Sequence, residues 1–230
     1  VDDCSTDKTV EIAKGYEAKD KRVKVYVNEK NLGDYPNRNR AASYVKGEYI
    51  MFVDSDDKIK SNGIYQCMKI MNKFPQCDFG IQFHNFNSSP VALNPDVAIN
   101  NHFFKSPFLT IGPGGTIIRR DYLFKISQYP TKYGPANDMY FNLKAATYSS
   151  TALIPIDFVE YRRHEGQQIN NFYSYLYNNY RYLRDALIEL PLPIKNEQKE
   201  WLAKKNKRRF VVNITKYFLK SFNVKKTYRA

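Results

Sequence analysis

One stretch constrains the fold more than any other, because an apolar run ends directly in a cluster of acids. Residues 49–53 read Tyr-Ile-Met-Phe-Val, and Asp54, Ser55, Asp56 and Asp57 follow without a break. A short apolar run without alternation is typical of a strand that is buried on both faces. In open α/β sheets, ligands bind at the carboxyl ends of the strands. The stretch therefore predicts a buried strand with a polar site at its end.

The segments before this strand alternate between helical and extended patterns. Residues 7–18 carry apolar side chains at helical spacing, and residues 23–27 alternate as a short strand does. A helix is predicted from residue 36 to residue 46, with Gly47 at the left-handed position that often ends a helix. This order predicts an α/β fold with a mixed, mainly parallel sheet that is flanked by helices.

The rest of the chain continues this alternation and then becomes helical. We predict a catalytic domain over residues 1–166 and a helical, basic C-terminal extension over residues 167–230. Residues 87–114 are rich in proline and glycine, which predicts a loop that covers a site. The remaining predicted elements are helices over 63–74, 121–126, 137–148, 172–190 and 196–222, strands over 79–86 and 115–118, and an extended segment over 151–163.

The positive charge is concentrated at the end of the chain. The formal net charge is +13, and twelve basic residues against two acids lie from Lys195 onward, which leaves a nearly balanced body of 24 basic and 21 acidic residues. A basic amphipathic helix suits the anionic surface of a membrane, and a solvated face on a packed helix explains the pattern equally well. Both interpretations stay open from the sequence.

The cysteines and the apolar pattern set expectations for location. Cys4, Cys67 and Cys77 form neither a C-x-x-C pair nor a cluster with histidines, so we expect three free thiols. The chain has no apolar run of the length that spans a bilayer, and no signal peptide is visible at its start. These features favour a cytoplasmic protein, with a place at the inner face of the membrane if the basic helix binds lipid.

The acidic cluster has two interpretations on residue pattern alone. Asp54 and Asp56 can share a hard divalent cation, Mg²⁺ or Mn²⁺, whose remaining positions suit diphosphate oxygens. Alternatively, the segment is a solvated turn in which Asp57 caps the next helix. The D-x-D pattern alone does not decide between them.

Residues 1–57 as a whole resemble the nucleotide-binding half of glycosyltransferase family 2. The resemblance is carried by five motifs in the family's order: Asp2-Asp3 before a Ser-Thr-Asp turn, Asn31-x-Gly33, Arg38-Asn39, Gly47-Glu48-Tyr49 and the D-x-D of Asp54 and Asp56. An ordered set is far more specific than any one motif. Members are inverting enzymes with the type A, Rossmann-like fold. The family's sheet begins with a strand, a helix and a second strand, and the match starts at the end of that second strand. We therefore expect a longer protein and an incomplete enzyme in this chain alone.

The resemblance implies a role for each matching donor-side residue. Asp3 would accept a hydrogen bond from the nucleotide base, and Asp2 would shape the rim of that pocket. Arg38 would approach the donor sugar or the diphosphate. Asp54 would face the ribose or a metal-bound water, and Asp56 would bind Mn²⁺ or Mg²⁺ directly. The ordinary alternatives are a helix cap for Asp3 and a solvent-facing helix charge for Arg38.

Three further segments resemble the family's second half. Residues 114–120 resemble the acceptor-side strand, and Asp138 takes the place of the catalytic base, with Asn137 where the family has a second acid. Asp138 also suits an ordinary helix start, where a carboxylate is stabilised. Arg162 and His164 match an R-x-H segment, which implies an approach to the diphosphate or the metal.

The function implied by the resemblance is inverting transfer of a sugar from a nucleotide diphosphate, with UDP favoured, to a hydroxyl. A glycan or lipid-linked glycan acceptor in bacterial surface polysaccharide biosynthesis fits this setting. One alternative is a nucleotidyltransferase, which normally needs a glycine-rich phosphate loop that the sequence lacks. Another is a basic nucleic-acid-binding module, whose phosphates the acidic cluster would repel. We expect no nucleic-acid partner, and a catalytically inactive binding module is the third alternative.

Overall fold

The computed structural model describes residues 1–85, 88–162 and 175–221. Its helices and strands are interspersed up to residue 160, and two long helices follow. In chain order the elements are α1 (Thr9–Lys19), α2 (Asp34–Ser43), β1 (Tyr49–Ile50), β2 (Lys58–Ile59), α3 (Gly63–Lys73), β3 (Cys77–Gln82), β4 (Val91–Leu93), α4 (Pro95–Phe104), β5 (Thr116–Arg119), α5 (Arg120–Lys125), α6 (Asn137–Tyr148), β6 (Ser150–Ile154), β7 (Val159–Glu160), α7 (Leu176–Glu189) and α8 (Asn196–Ser221).

The main sheet has five strands in the order β1-β5-β3-β6-β4. The expected mixed sheet with flanking helices and a helical C-terminal part is confirmed. Strands β3 and β6 are parallel, whereas the other three pairings are antiparallel. The reason is that β5 enters between β1 and β3 in the opposite direction, which makes the ladders on both its sides antiparallel. Strands β1, β3 and β6 therefore run in one direction, and β5 and β4 run in the other.

Strand β1 is shorter and more exposed than predicted. Its ladder covers two residues, Ile50 is buried, and Val53 is 46% exposed. Because β1 lies at the edge of the described sheet and pairs with β5 alone there, the apolar run after it is not covered on both faces. The strand predicted over residues 23–27 is reduced to one parallel bridge between Asp2 and Val27.

The helix before β1 also has different ends from those predicted. Helix α2 ends at Ser43, so Gly47 lies beyond it, and Gly47 does not have the left-handed backbone that was expected. That conformation falls on Gly33 instead, with a φ of 85°, directly before the helix begins. A positive φ is costly for residues with a Cβ, so glycine suits this entry turn.

The core divides over the two faces of the sheet. Ile117 and Ile118 in β5 are both buried, and they belong to separate apolar clusters because neighbouring strand residues face opposite sides. One cluster lies between the sheet and α3, while the larger one packs α4, α6 and α7 against the other face. Helix α6 spans Asn137–Tyr148, the bounds that the sequence predicts. The larger cluster thus holds the start of α6 in place.

The proline-rich segment over residues 87–114 is not the simple loop that was predicted. It contains β4 and the ten-residue helix α4. Asn94 caps that helix, since its side chain accepts a hydrogen bond from the N–H of Val97 (2.9 Å), and Pro95 occupies the first turn. Proline at that position starts a helix instead of breaking one.

The last two helices form a pair that packs on the sheet's larger cluster. Leu183 and Leu187 of α7 and Leu202 of α8 share that cluster with Phe141 of α6. Among the described residues, no helix combines the length and hydrophobicity needed to cross a bilayer. The domain boundary predicted between residues 166 and 167 falls outside the described residues and stays a prediction.

Candidate active site

Asp3 organises the loop that leads into α2. Its carboxylate accepts hydrogen bonds from the Asn28 side chain (2.7 Å) and from the backbone N–H groups of Leu32 and Gly33 (both 2.8 Å). Burial by itself raises the pKa of Asp3, but these three bonds outweigh it and hold the pKa below its usual range. The carboxylate therefore stays ionised and fixes the shape of this loop.

Asp2 turns to a different partner. It accepts hydrogen bonds from the N–H (2.8 Å) and the hydroxyl (2.5 Å) of Ser5, and its backbone pairs with Tyr26 and Asn28. The two adjacent acids thus fix two adjoining turns, one at residues 2–5 and one at residues 28–33. Neither carboxylate caps α1, whose N-cap residue is Lys8, so the helix-cap interpretation of Asp3 does not hold.

Arg38 pairs with Asp54 across the site. A terminal nitrogen of its guanidinium lies 2.5 Å from the Asp54 carboxylate, and its side chain is only 18% exposed. The guanidinium also lies 5.1 Å from the ring centre of Tyr35. Because Arg38 points inward, it is not the solvent-facing charge of the ordinary interpretation. The pair joins α2 to the acidic loop that follows β1.

Asp54, Asp56 and Asp57 form the acidic cluster, and each can present one carboxylate oxygen within 4.8 Å of the others. The pKa of Asp57 is raised, first by burial and then by the charges of Asp56 and Asp54, against the N–H of Arg162, which lowers it. Asp57 does not cap the next helix, because α3 begins at Gly63 after Asn62. Three carboxylates that repel one another fit the oxygen-rich, negatively charged donor set that Mg²⁺ and Mn²⁺ prefer.

A small second sheet brings Arg162 to this cluster. Strands β2 and β7 pair in antiparallel fashion, and the chain then continues to Arg162. Its N–H donates to Asp57 (3.1 Å), and its guanidinium donates to the backbone carbonyls of Asp56 and Ser55. Arg162 therefore stabilises the conformation of the acidic loop through these hydrogen bonds. His164, the other residue of the R-x-H segment, lies outside the described residues.

Asp138 is the second residue of α6. One oxygen of its half-buried carboxylate accepts a hydrogen bond from the N–H of Met139 (2.6 Å). Burial raises the pKa of Asp138 to about 7, although the N–H of Met139 and the charge of Arg38 both lower it. A carboxyl group with a pKa near neutrality can accept and release a proton at ordinary pH.

Residues 112–115 connect Asp138 to the acidic cluster. A Cβ on Gly112 would lie 3.7 Å from a carboxylate oxygen of Asp138, and a Cβ on Gly114 would lie 3.9 Å from one of Asp57. Gly115 has no room for a side chain, since its Cβ would lie 2.3 Å from Ile111. One glycine-rich segment thus faces the candidate base and the candidate metal ligands.

Tyr161 lies against the same segment and was not singled out from the sequence. Its hydroxyl would be 2.7 Å from a Cβ on Gly115. Burial raises its pKa, and the charges of Asp57, Asp54, Asp157 and Asp138 raise it further. The only sequence signal for this contact is the run of glycines opposite, which reveals a close approach but not its partner.

Comparison with known proteins identifies the family. Residues 1–125 match the family model described as Glycosyl transferase family 2. The chain belongs to glycosyl transferase family 2. It is 35% identical over 112 residues to the putative teichuronic acid biosynthesis glycosyltransferase TuaG of Bacillus subtilis, an alignment that covers 44% of each chain.

A second family 2 relative aligns over more of the chain. The poly(ribitol-phosphate) beta-N-acetylglucosaminyltransferase TarS of Staphylococcus aureus is 27% identical over 201 residues, which are 83% of this chain and 34% of TarS. The chain therefore spans less than half the length of either curated relative.

Solved structures show the same fold. Residues 1–349 of S. aureus TarS in complex with UDP-GlcNAc superpose with a TM-score of 0.73 at 20% identity, over 99% of this chain and 67% of that one. The complex of the same TarS fragment with UDP gives a TM-score of 0.72 at 21% identity, over 98% and 65%. The type A fold expected from the sequence is thereby confirmed.

Proposed function

We propose that this chain carries the catalytic machinery for inverting transfer of a sugar from a nucleotide diphosphate, with UDP favoured, to a hydroxyl acceptor. The observation that carries the proposal is the position of Asp138. Its carboxylate, with a pKa of about 7, faces the same glycine-rich segment as the acidic cluster. A base and a diphosphate site on one segment are what a single displacement at an anomeric carbon needs.

Asp138 acts as the general base. The acceptor oxygen forms a bond to the anomeric carbon as the bond from that carbon to the diphosphate oxygen breaks. The hydroxyl proton moves to Asp138, and the electron pair of the broken bond leaves on the nucleoside diphosphate. Removing the proton as the new bond forms is worth about 10²- to 10⁴-fold in rate. Because residue 112 is a glycine, no side chain at that position covers this carboxylate.

The donor is held on the other side of the segment. Asp54, Asp56 and Asp57 would hold Mg²⁺ or Mn²⁺, and their mutual repulsion is relieved by such an ion. When bound, the cation neutralises the negative charge that grows on the leaving diphosphate. Arg38 orients Asp54 from α2, and the loop fixed by Asp3 forms the floor of the pocket for the nucleotide base.

The acceptor belongs to a surface glycan. TuaG is named for teichuronic acid biosynthesis, and TarS is named for the transfer of N-acetylglucosamine to poly(ribitol-phosphate). These names support a glycan or lipid-linked glycan acceptor in bacterial polysaccharide biosynthesis. Asp2 and His164 complete the proposed binding set on the resemblance alone.

Helix α8 gives the protein a peripheral contact with the inner face of the membrane. Its outward face carries Trp201, Lys205, Val212, Lys216 and Leu219 at helical spacing, all of them exposed. Basic residues beside apolar ones suit an anionic leaflet, at about 1 kcal/mol per charge. Sedimentation with vesicles containing phosphatidylglycerol tests this, and equal binding to neutral vesicles or by the Lys205→Gln/Lys216→Gln variant contradicts it.

The function is tested by titrating the complete protein with UDP, GDP and CDP, each with and without Mn²⁺. We expect UDP to bind most tightly and only weakly without the metal. Incubation with UDP-sugars should then release UDP. Binding of none of the three nucleotides contradicts the proposal, and release of pyrophosphate instead of UDP favours a nucleotidyltransferase.

A further inference from the structure

A cavity of about 220 Å³ lies beside the start of α6, where α7 and α8 meet it. Met139, the residue after Asp138, forms part of its wall, and the stacked rings of Tyr180 and Phe210, 4.9 Å apart, form another part. Liquid water occupies about 30 Å³ per molecule, so the cavity has room for about seven waters. That space suits one sugar or polyol unit next to the candidate base.

Asn206 of α8 leaves a buried hydrogen-bond acceptor in this wall. The residue is 3% exposed, and its amide nitrogen donates to the backbone carbonyl of Tyr180 (2.9 Å). Its amide oxygen has no hydrogen-bond partner within the described parts of the chain. Buried polar atoms are nearly always paired in folded proteins, so a hydroxyl group from a ligand would complete this site.

Arg209 supplies positive charge to the same wall. Among the described residues that line the cavity, Arg209 has the only charged side chain. Burial raises the pKa of Tyr182, Arg209 lowers it through its charge and a hydrogen bond, and the charge of Asp138 raises it. Both charges thus act on Tyr182. The cavity borders the candidate base because Met139, which lines it, directly follows Asp138 in the chain.

We infer that this cavity is an acceptor subsite for a polyhydroxylated unit that carries one anionic group, a phosphate or a carboxylate. Asn206 accepts a hydrogen bond from a hydroxyl, the rings of Tyr180 and Phe210 pack against the carbon skeleton, and Arg209 pairs with the anion. The inference rests on the proposed function, because the unit in the cavity belongs to the acceptor whose hydroxyl Asp138 deprotonates.

Direct binding tests the subsite without any turnover. The complete protein is titrated with ribitol, ribitol 5-phosphate, glucuronate and inorganic phosphate, with affinity measured by calorimetry. We expect ribitol 5-phosphate or glucuronate to bind more tightly than both ribitol and phosphate. Which of the two binds more tightly shows whether the anionic group of the ligand is a phosphate or a carboxylate. Arg209→Gln should remove this preference, lowering affinity about 10- to 100-fold, as expected for loss of a charge-assisted hydrogen bond. Equal affinities for all four compounds overturn the inference.

Arg208→Gln is the matched control, because Arg208 is the neighbouring arginine on α8 and is exposed as Arg209 is, but does not line the cavity. It should bind as the unaltered protein does, and an equal loss in both variants would mean that only general charge matters. Asn213→Asp adds a negative charge at a half-buried lining position, so it tests the same electrostatics if Arg209→Gln disturbs folding. It should weaken binding of the anionic polyols and leave ribitol unchanged; unchanged anion binding counts against the subsite.

Kinetics separate this inference from the proposed function. In Arg209→Gln, the KM for an anionic acceptor should rise, while UDP affinity and slow hydrolysis of the UDP-sugar stay the same. If the unaltered protein binds UDP and hydrolyses donor but Arg209→Gln keeps the normal acceptor KM, the subsite alone is wrong. If the protein neither binds nucleotide nor releases UDP, the proposed function is wrong, and the titrations with polyols still decide what the cavity binds.

Discussion

The donor side and the acceptor side of the candidate site are built differently. Helix α1, on the donor side, has no buried residue, whereas α6, which begins with the candidate base, has eight buried among its twelve. The donor-side acids are held by hydrogen bonds and by charge, as Asp3 and Asp54 show. Asp138, by contrast, lies in the first turn of a helix that packs on the apolar core of the sheet.

The same side chain therefore has different acidity on the two sides. Hydrogen bonds from three donors hold the pKa of Asp3 low against the effect of burial, while burial dominates at Asp138 and raises its pKa to about 7. Asp3 on the donor side is therefore kept charged, whereas Asp138 on the acceptor side is kept ready to take a proton. The variants below test this division.

The largest effect is expected for Asp138→Asn, which removes the base. The transfer rate should fall about 10²- to 10⁴-fold, while the affinity for UDP stays the same. In the unaltered protein the rate should rise as the pH increases through about 7 and then level off, since the base must be ionised. Initial rates of UDP release, taken from roughly pH 5.5 to roughly pH 8.5, measure the loss of rate in the variant and the pH profile of the unaltered protein.

Asp121→Asn is the control for this substitution, because Asp121 is also the second residue of a helix but is exposed and paired with Arg120. It should keep normal activity and the same pH profile. An active Asp138→Asn enzyme would mean that another group takes the proton.

The next effect concerns metal binding at the donor side. Asp56→Asn should weaken UDP affinity in Mn²⁺ at least about tenfold and leave the weak metal-free affinity unchanged. Mn²⁺ should also raise the melting temperature of the unaltered protein but not of the variant. Asp20→Asn is the control, since Asp20 lies in the same half but pairs with Arg22. Identical Mn²⁺ responses in all three proteins would exclude the acidic cluster as the metal site.

A smaller effect is expected on stability at the acceptor side. The pKa of Asp138 is raised on folding, so its ionisation destabilises the fold as pH rises from the unfolded value through about 7. Asp138→Asn should therefore increase the free energy of unfolding by about 1–3 kcal/mol at pH 8, and by less at pH 5. Urea denaturation at both pH values measures this difference. A variant that is less stable than the unaltered protein at pH 8 would show that the ionised Asp138 carboxylate does not destabilise the fold.

The smallest effect concerns His102 in α4. Its ring nitrogen accepts the N–H groups of Phe108 (3.2 Å) and Leu109 (3.1 Å), and burial lowers its pKa to about 4. A depressed histidine pKa means that its contribution to stability is present at neutral pH and is lost as pH falls from about 6.5 toward 4.

We expect His102→Gln to flatten the acid part of the stability curve by about 1–2 kcal/mol relative to the unaltered protein. Comparing the two curves cancels the opposite contribution of Asp138, which is the same in both. The exposed His84→Gln variant should keep the normal curve. An unchanged slope in His102→Gln would mean that this histidine does not titrate on unfolding.

Local patterns in the sequence were enough for the family, for several elements and for most of the site candidates. Helix α6 has the predicted bounds, and five motifs in one order identify the family that residues 1–125 match. Asp54, Asp56 and Asp138 could be chosen from their places in the family's order of motifs, because the D-x-D pattern and the helix start do not decide a role by themselves. These signals are local, so no contact between distant segments is needed to recognise them.

What the tertiary structure decided depends on segments that are far apart in the chain. The direction of β5 made the ladders on both its sides antiparallel, and the edge position of β1 left Val53 exposed. Tyr161 meets the glycines at 112–115 only through the fold, and the cavity at Asn206 exists only where α7 and α8 pack on α6. The pKa of Asp138 belongs to this group as well, since desolvation sums over all atoms that the fold brings near the carboxylate. The sequence determined which acids the protein has, and the packing around each one determined its charge.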